Sequence, residues 1–537
     1  MPYKQKFPLE KTASGGKEYL AYKMPYCNLY ETLEASAKRF SDKVAVVDVA
    51  SRVTYRELQQ KTDAFAAYLY HYKHIRQGDR IALVMVNSIE FCVCFYAILK
   101  IGATVVSVNT KLSGDEMGYI LSDAHANYAI TDRAWYNKLE NHRPQLDWLI
   151  FSDTAPDGFS TVAEAIETGA KLPDTPTVRD DSLPADIMYT SGTTGRPKGA
   201  VMTHFNLLQG LYVYVEADDM DEREITVLSV PAFHITGLNN VLTVFIFIGG
   251  TIVMLPFFNA EKTLDAITEY RATYFHAVAT VFMMLEGAVT EKHDLSSLRT
   301  ALCGGGFISR ETIRNFCAKA VNCRFHPVYG MTETSGAGTY FSGHCLDSSI
   351  EDSCGKVSAN CEIQIVNENN VALPANTMGE ICFRGSFVID HYLNGVSPDS
   401  FTDGWLHSGD VGYFDENGYL FIKDRIKDMI NRGGEKIFSL AVEDVIMKYG
   451  GIKQAAVFGV QDDLYGEVPA AVIVPESGVS ISIDSLRTYL RDHIAHYKVP
   501  VIFEIRDRLP VTASGKPRKF ELRQEFNRKR QRESVKL

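Results

Sequence analysis

Between residue 28 and about residue 180 the apolar positions follow two alternating patterns. YRELQQKTDAFAAYLYHY (55–72) repeats its apolar residues at helical spacing, whereas RIALVMV (80–86) and TVVSVN (104–109) are short continuous apolar runs. That alternation predicts parallel strands joined by crossover helices. Asn87 and Ser88 are placed to cap a helix over FCVCFYAILK, and Gly102 to close it. After residue 350 the texture changes. CEIQIVNENNVALP, GEICFRG and GYLFIKD read as strands joined by Asn- and Gly-rich turns, a smaller β-rich layer. Beyond Lys423 helix and strand alternate again through SLAVEDVIMKYG, QAAVFGV, AAVIVP and SIDSLRTYLRDHI, enough chain for a separate small domain. The final KFELRQEFNRKRQRESVKL is basic and predicts a solvated, frayed terminus rather than an anion-binding tail.

Val241 to Phe258 carries no charge over nearly the length of a membrane span. Gly249 and Gly250 divide it, so the same residues predict a buried helix followed by the strand TIVMLP, stopped at Pro256. At 537 residues the chain is long enough for three to four domains of ordinary size, about 150 residues each. A 46% hydrophobic and 23% charged composition is that of a folded globular protein. The net charge of −11 argues against a nucleic-acid partner bound through a generally basic surface, and leaves small molecules or proteins. Ten scattered cysteines show no zinc spacing and predict buried free thiols. The N-terminus lacks the apolar core of a secretory signal, so a cytoplasmic location is expected.

The chemistry concentrates in YTSGTTGRPKG, residues 189–199. Glycines, hydroxyl residues and a closing lysine make a loop rich in donors for phosphate oxygens. It is not the GxxxxGK[ST] loop, because Lys198 lacks that spacing and the Ser or Thr behind it. The stretch resembles the phosphate-binding signature of the adenylate-forming enzymes: acyl-CoA synthetases, luciferases and peptide-synthetase adenylation domains. Four further segments resemble that family's motifs in order: YGMTE (329–333), WLHSGD (405–410), DRIKD (424–428) and TASGK (512–516).

The resemblance implies an α/β fold: a large N-terminal body of several subdomains (1–423), with parallel α/β layers and a β-rich layer. A small mobile α+β lid (424–537) would follow it. It also implies ATP, Mg²⁺ and coenzyme A, and a small-molecule carboxylic acid as substrate, with no transmembrane segment; a homodimer is compatible with it. A carboxylate attacking the α-phosphate of ATP brings anions together, so the site must supply cations and donors. Thr190, Ser191, Gly192, Thr193, Thr194 and Lys198 match the segment at the β- and γ-phosphates. Glu333 matches the Mg²⁺ carboxylate, Thr332 the α-phosphate donor, and Tyr329, with Gly330 behind it, the residue against adenine. Gly304, Gly305 and Gly306 match the loop under the base, with Phe307 where proline is usual. Asp410 and Arg425 match the acceptor and donor for the ribose hydroxyls.

Lys516 matches the catalytic lysine of adenylation and Lys427 the lid's hinge. Pro517 replaces the usual aliphatic residue. After lid rotation NRGGEK (431–436) would face the adenylate, with Gly433 and Gly434 admitting a pantetheine arm. Arg432 and Lys436 are either contacts to CoA phosphates or exposed surface charges. Ser439 stands where proline is usual and Ala441 where glutamate is frequent, whereas Glu443 is kept; altered helix packing is expected, with the chemistry intact. PAFHITG (231–237) resembles the Phe-His segment of acyl- and aryl-CoA ligases and has no carboxylate for a substrate ammonium. His234 is then a pocket wall or gate rather than a base. Gly237, Leu238, Val278, Met331 and Gly336, with Ala337 and Gly338, would line an apolar cavity suited to a fatty or other apolar acid. The activity implied is an AMP-forming acyl-CoA ligase. Loading of a separate carrier protein is the alternative acceptor chemistry, and a nucleotide-binding protein without catalysis the alternative class.

Overall fold

A computed structural model describes residues 7–190, 196–306, 308–341, 344–347, 350, 352–511 and 517–534. The chain divides into two compact units: 1–363 with 383–407 and 418–420, and 364–382 with 408–417 and 421–537.

Two seven-stranded sheets organise the first unit. One runs in the order Lys198–Thr203, Pro184–Thr190, Thr104–Ser107, Arg80–Val84, Tyr128–Thr131, Trp148–Phe151, Ser160–Thr161, parallel except for the Lys198–Thr203 edge. The other runs Arg324–Pro327, Thr300–Gly304, Tyr274–Val278, Ile225–Leu228, Thr251–Met254, Val44–Val47, Arg52–Thr54, parallel except for its last strand. The expected alternation therefore builds two parallel layers. Helix Tyr55–Ala67 starts at a capping box, where Thr54 accepts from the Glu57 N–H and Glu57 reaches back to the Thr54 N–H. Helix Ile89–Lys100 starts at Ser88, whose Oγ accepts from the Phe91 N–H, and Gly102 follows it at φ +74°. Every residue of this helix except Glu90 is buried, Cys92 and Cys94 included. All ten cysteines are free thiols.

The uncharged stretch resolves as expected. Helix Val244–Ile248 ends at Gly249, left-handed at φ +79°, where a Cβ would strike the Phe40 ring at 2.3 Å. Strand Thr251–Met254 follows, and no described helix is long and apolar enough to cross a membrane.

In the second unit strands Gly466–Pro475 and Ile452–Asp462 pair antiparallel, flanked by Ile430–Arg432, Glu435–Ile437 and Ile502–Ile505. Their near-continuous apolar sequence has a reason: both faces are covered. Val457, Ala471 and Ile473 pack under helices Ser439–Met447 and Ile483–His493. Phe458, Val460, Val472 and Val474 pack against Leu522 and Phe526. Those two residues, four apart, belong to helix Lys519–Ser534. The basic C-terminal segment is thus a docked helix and not a frayed end, because one i, i+4 apolar pair meets a sheet face that needs a cover.

Asp186 in strand Pro184–Thr190 is wholly buried, and its Oδ2 accepts a hydrogen bond of 2.6 Å from the Ser107 hydroxyl. Burial pushes this carboxyl up to about 7, against the lowering effect of Ser107. The folded chain keeps the proton where the unfolded chain has lost it, so this group's contribution to stability falls as pH rises from about 4 to about 7. Asp186→Asn should gain on the wild type across that window by about 1.4 kcal/mol per pH unit at the steepest, then level off. Thermal midpoints measured from pH 5 to pH 9 check this; a pH-independent difference would contradict it.

Candidate functional site

The second parallel sheet sets up one half of the site. Its strands Ile225–Leu228, Tyr274–Val278, Thr300–Gly304 and Arg324–Pro327 share one direction, so the segments after them emerge at one edge. Ligands of open α/β sheets bind outside the carboxyl ends of the strands. Here those ends lead to His234, to Val278, to Gly304 through Gly306, and to Tyr329 through Glu333. Val278 pairs in register with Gly304, and a Cβ on Gly305 (φ +73°) would meet Val278 Cγ1 at 3.4 Å. Gly330 is required sterically, because a Cβ there would lie 2.6 Å from the Gly336 carbonyl oxygen and 2.7 Å from that of Ala337. This crowding closes the chain into a tight loop, bridged from Gly330 to Gly338, that carries Thr332 and Glu333 on a 3-10 turn. The Tyr329 ring lies against Phe383 with centroids 5.4 Å apart.

The first sheet supplies the other half. Thr190 and Lys198 are register partners at the mouth of the Gly-rich hairpin. Ser191, Gly192, Thr193 and Thr194 within it lie outside the described residues, as do Phe307 and Lys516. The Thr190 hydroxyl donates to Glu333 Oε1 at 3.2 Å, and the Tyr392 hydroxyl donates to the same oxygen at 2.8 Å. Lys198 Nζ sits over the Tyr392 ring, 5.3 Å from its centroid. Thr190, Lys198 and Glu333 are thereby brought together from positions far apart in sequence. Glu333 is 5% exposed, and among the described residues no other one bonds its side chain, which leaves Oε2 open to a ligand as far as those residues go. A lone hard carboxylate beside phosphate donors is the usual protein share of a Mg²⁺ site, whose other ligands are nucleotide oxygens and water. The donor set fits Mg²⁺, which Glu333 would hold.

On the acid side, His234 precedes the short helix Ile235–Gly237, its ring 4.9 Å from that of Phe233. Gly237 is needed because a Cβ would lie 2.3 Å from the Pro231 carbonyl. Leu238 is fully buried and Met331 is half-buried. The Gly336 carbonyl accepts from the hydroxyl of Tyr214 and from Asn240 Nδ2 (3.2 Å), while Asn239 Nδ2 donates to the Ser335 carbonyl at 2.9 Å. Polar side chains therefore fix the Ser335–Gly336 backbone, a stretch the sequence offers as lining for an apolar cavity. Tyr214, Asn239, Asn240 and Tyr392 carry no local sequence signal, since each acts through residues more than twenty positions away.

Within the second unit Arg425 Nε pairs with Asp410 Oδ1 at 2.9 Å, Asp410 being buried and Arg425 42% exposed on its side chain. Lys427 lies in the turn after strand Leu420–Arg425, where the Asp428 N–H returns to the Arg425 carbonyl. Gly433 (φ +58°) and Gly434 (φ +95°) form the two-residue turn between Arg432 and its register partner Glu435. Arg432 donates to the Tyr497 carbonyl at 2.8 Å and lies over the Tyr465 ring, while Lys436 pairs loosely with exposed Glu368.

Residues 33–393 match the family described as AMP-binding enzyme, and 441–516 match the AMP-binding enzyme C-terminal domain. A feruloyl-CoA synthase from an Amycolatopsis species is 32% identical over 90% of this chain and 96% of its own length. A long-chain-fatty-acid–CoA ligase of Mycobacterium tuberculosis is 31% identical over 89% of this chain and 93% of its own. Among solved structures, the o-succinylbenzoate CoA synthetase of Bacillus subtilis with ATP and a magnesium ion superposes with a TM-score of 0.81 at 29% identity, covering 91% and 98% of the two chains.

If Tyr392 orients Glu333 for a cation, Tyr392→Phe should weaken binding of Mg²⁺ and ATP about three- to tenfold, the scale of one hydrogen bond to a charged group. Titration calorimetry with and without Mg²⁺ reads this. An unchanged affinity would leave Tyr392 a packing residue only.

Proposed function

The chain belongs to the AMP-binding enzymes, and from that premise we propose that it is an AMP-forming acid–CoA ligase activating an apolar carboxylic acid, aromatic or aliphatic. The observation that carries this reading is the convergence of Thr190, Lys198 and Glu333 at the mouth of the Gly-rich hairpin. CoA, rather than a carrier protein, is the acceptor named for the relatives.

The reaction has two halves. The acid's carboxylate attacks the α-phosphate of ATP, forming the acyl-adenylate and releasing pyrophosphate; the CoA thiolate then attacks the acyl carbon, and AMP leaves. Lys198 and Thr190 hold the β- and γ-phosphates with the loop between them. Glu333 holds the Mg²⁺, which when bound neutralises charge on the phosphates. Thr332 orients the α-phosphate, and Tyr329 with Gly304 to Gly306 frames the adenine. Asp410 accepts from the ribose hydroxyls and Arg425 donates to them. Lys516 neutralises charge between carboxylate and α-phosphate as the bond forms. Residues 424–537 act as the lid and turn about Lys427 between the halves, bringing Gly433 and Gly434 to the pantetheine arm. His234, Gly237, Leu238, Val278, Met331 and Gly336 line the acid pocket. Its largely apolar residues support an apolar acid, and the relatives' acids are of both aromatic and fatty types.

Acid-dependent exchange of pyrophosphate into ATP, run over a panel of aromatic and fatty acids and scored by kcat/KM, tests the reading. Lys516→Ala should lower exchange on the order of 10²-fold or more, while thioester formation from supplied acyl-adenylate survives. No exchange with any acid despite ATP binding would defeat the ligase reading, and equal loss in both halves would defeat the alternating lid.

A further inference from the structure

The second unit buries a charge cluster that the reaction above does not use. Lys519, the first residue of helix Lys519–Ser534, is only 10% exposed along its side chain. Its ammonium donates to Glu443 Oε1 and to Ser439 Oγ, both at 2.7 Å. Ser439 is fully buried and passes the contact on, its hydroxyl donating to Asp424 Oδ1 at 3.1 Å and its N–H to Asp424 Oδ2. The other polar partners are backbone: Glu443 Oε1 accepts from the Val457 N–H, and Asp424 Oδ1 from the Arg425 N–H. Asp428 adds a further negative charge nearby. Burial opposes the Lys519 charge, but Glu443 and Asp424 more than offset it and hold the ammonium above its ordinary value. Removing the lysine would leave two carboxylates buried side by side without their cation.

Neighbouring contacts give this cluster a direction. Val511 and Pro517, which flank 512–516, form a bridge, and the Arg518 N–H donates to the Pro510 carbonyl at 2.8 Å. Lys519 follows directly. One turn further along the helix, Arg523 pairs with Glu467 and donates to the Lys427 carbonyl at 3.4 Å. The helix that leaves the 512–516 stretch is therefore tied at two points to the 424–428 segment. Ser439 makes this possible, since the proline usual at its position has neither an N–H nor a hydroxyl.

We propose that Lys519 is a positioning residue for adenylation, clamping the residues that flank 512–516, and through them Lys516, to the segment holding Lys427. The proposal rests on reading Lys516 as the adenylation lysine. Lys519 touches no reacting atom and acts only through those flanking residues.

The test is a double-mutant cycle on the full-length enzyme, with both half-reactions measured. Lys519→Met should lower kcat for pyrophosphate exchange about thirtyfold or more, with KM for ATP and acid within about twofold. Thioester formation from supplied acyl-adenylate should stay within about threefold, and Lys519→Arg should recover most of the loss. In a Lys516→Ala background the same change should cost less than about twofold, because its effect has no further route. An undiminished loss in that background, or equal loss in both half-reactions, overturns the clamp while leaving the Lys516 reading in place. A Lys516→Ala enzyme exchanging at the wild-type rate removes that reading and the clamp with it. If Lys519→Met does not fold, Ser439→Ala decides: a three- to tenfold loss confined to adenylation supports the clamp, on the order of one charged hydrogen bond, and no loss overturns it.

Discussion

A carboxylate that is 95% removed from water must be held by donors or met by a cation, and Glu333 places that demand on the whole first unit. Its two hydroxyl donors come from opposite directions in sequence, Thr190 from the end of a strand of one parallel sheet and Tyr392 from a residue bridged to Ala200. Lys198 reaches the same place by register with Thr190 and by resting over Tyr392. The tight loop that presents Glu333 exists only because Gly330 can lie against two carbonyls. The carboxylate is thus oriented before any ligand arrives, and that preorganisation is what phosphoryl chemistry needs from a protein.

Parallel topology explains why the remaining residues gather. Strands pointing one way deliver their following segments to one edge, so Gly304 to Gly306, Val278 and the His234 segment follow strand ends of the same sheet edge without any sequence proximity. The polar stitching of Gly336 by Tyr214 and Asn240 then rigidifies the loop from its far side. The position of this stretch is set by fixed backbone rather than by mobile side chains.

How much of this the sequence carried depends on the range of each interaction. Local signals are readable: the Ser88 cap, the helix close at Gly102 and the break at Gly249 all depend on residues within four positions. The motifs placed Thr190, Lys198 and Glu333 as candidates, and the structure brings these three together. Tyr392, Asn239, Asn240 and Tyr214 were invisible, because a tyrosine or asparagine acquires its role only from a partner that the fold supplies. The C-terminal helix was misread for the same reason. Its composition is strongly charged, and Leu522 and Phe526 alone do not signal a packed face until the outer side of strands Ile452–Asp462 and Gly466–Pro475 is seen to lack any other cover.

The departures from the family's pattern in the second unit form a physically consistent set. Proline at position 439 would end the neighbouring segment without offering a hydrogen bond, so Asp424 would need another donor. Serine supplies two donors to that carboxylate, and its hydroxyl oxygen then accepts from Lys519, whose charge balances Glu443. Ala441, where glutamate is frequent, is exposed and lies outside the cluster. In a chain of net charge −11 a buried cation is costly to retain and more costly to remove, since each carboxylate it serves would have to be neutralised or exposed. The serine and the lysine form one interdependent unit, which is why substitution at a helix start can leave the buried charges satisfied.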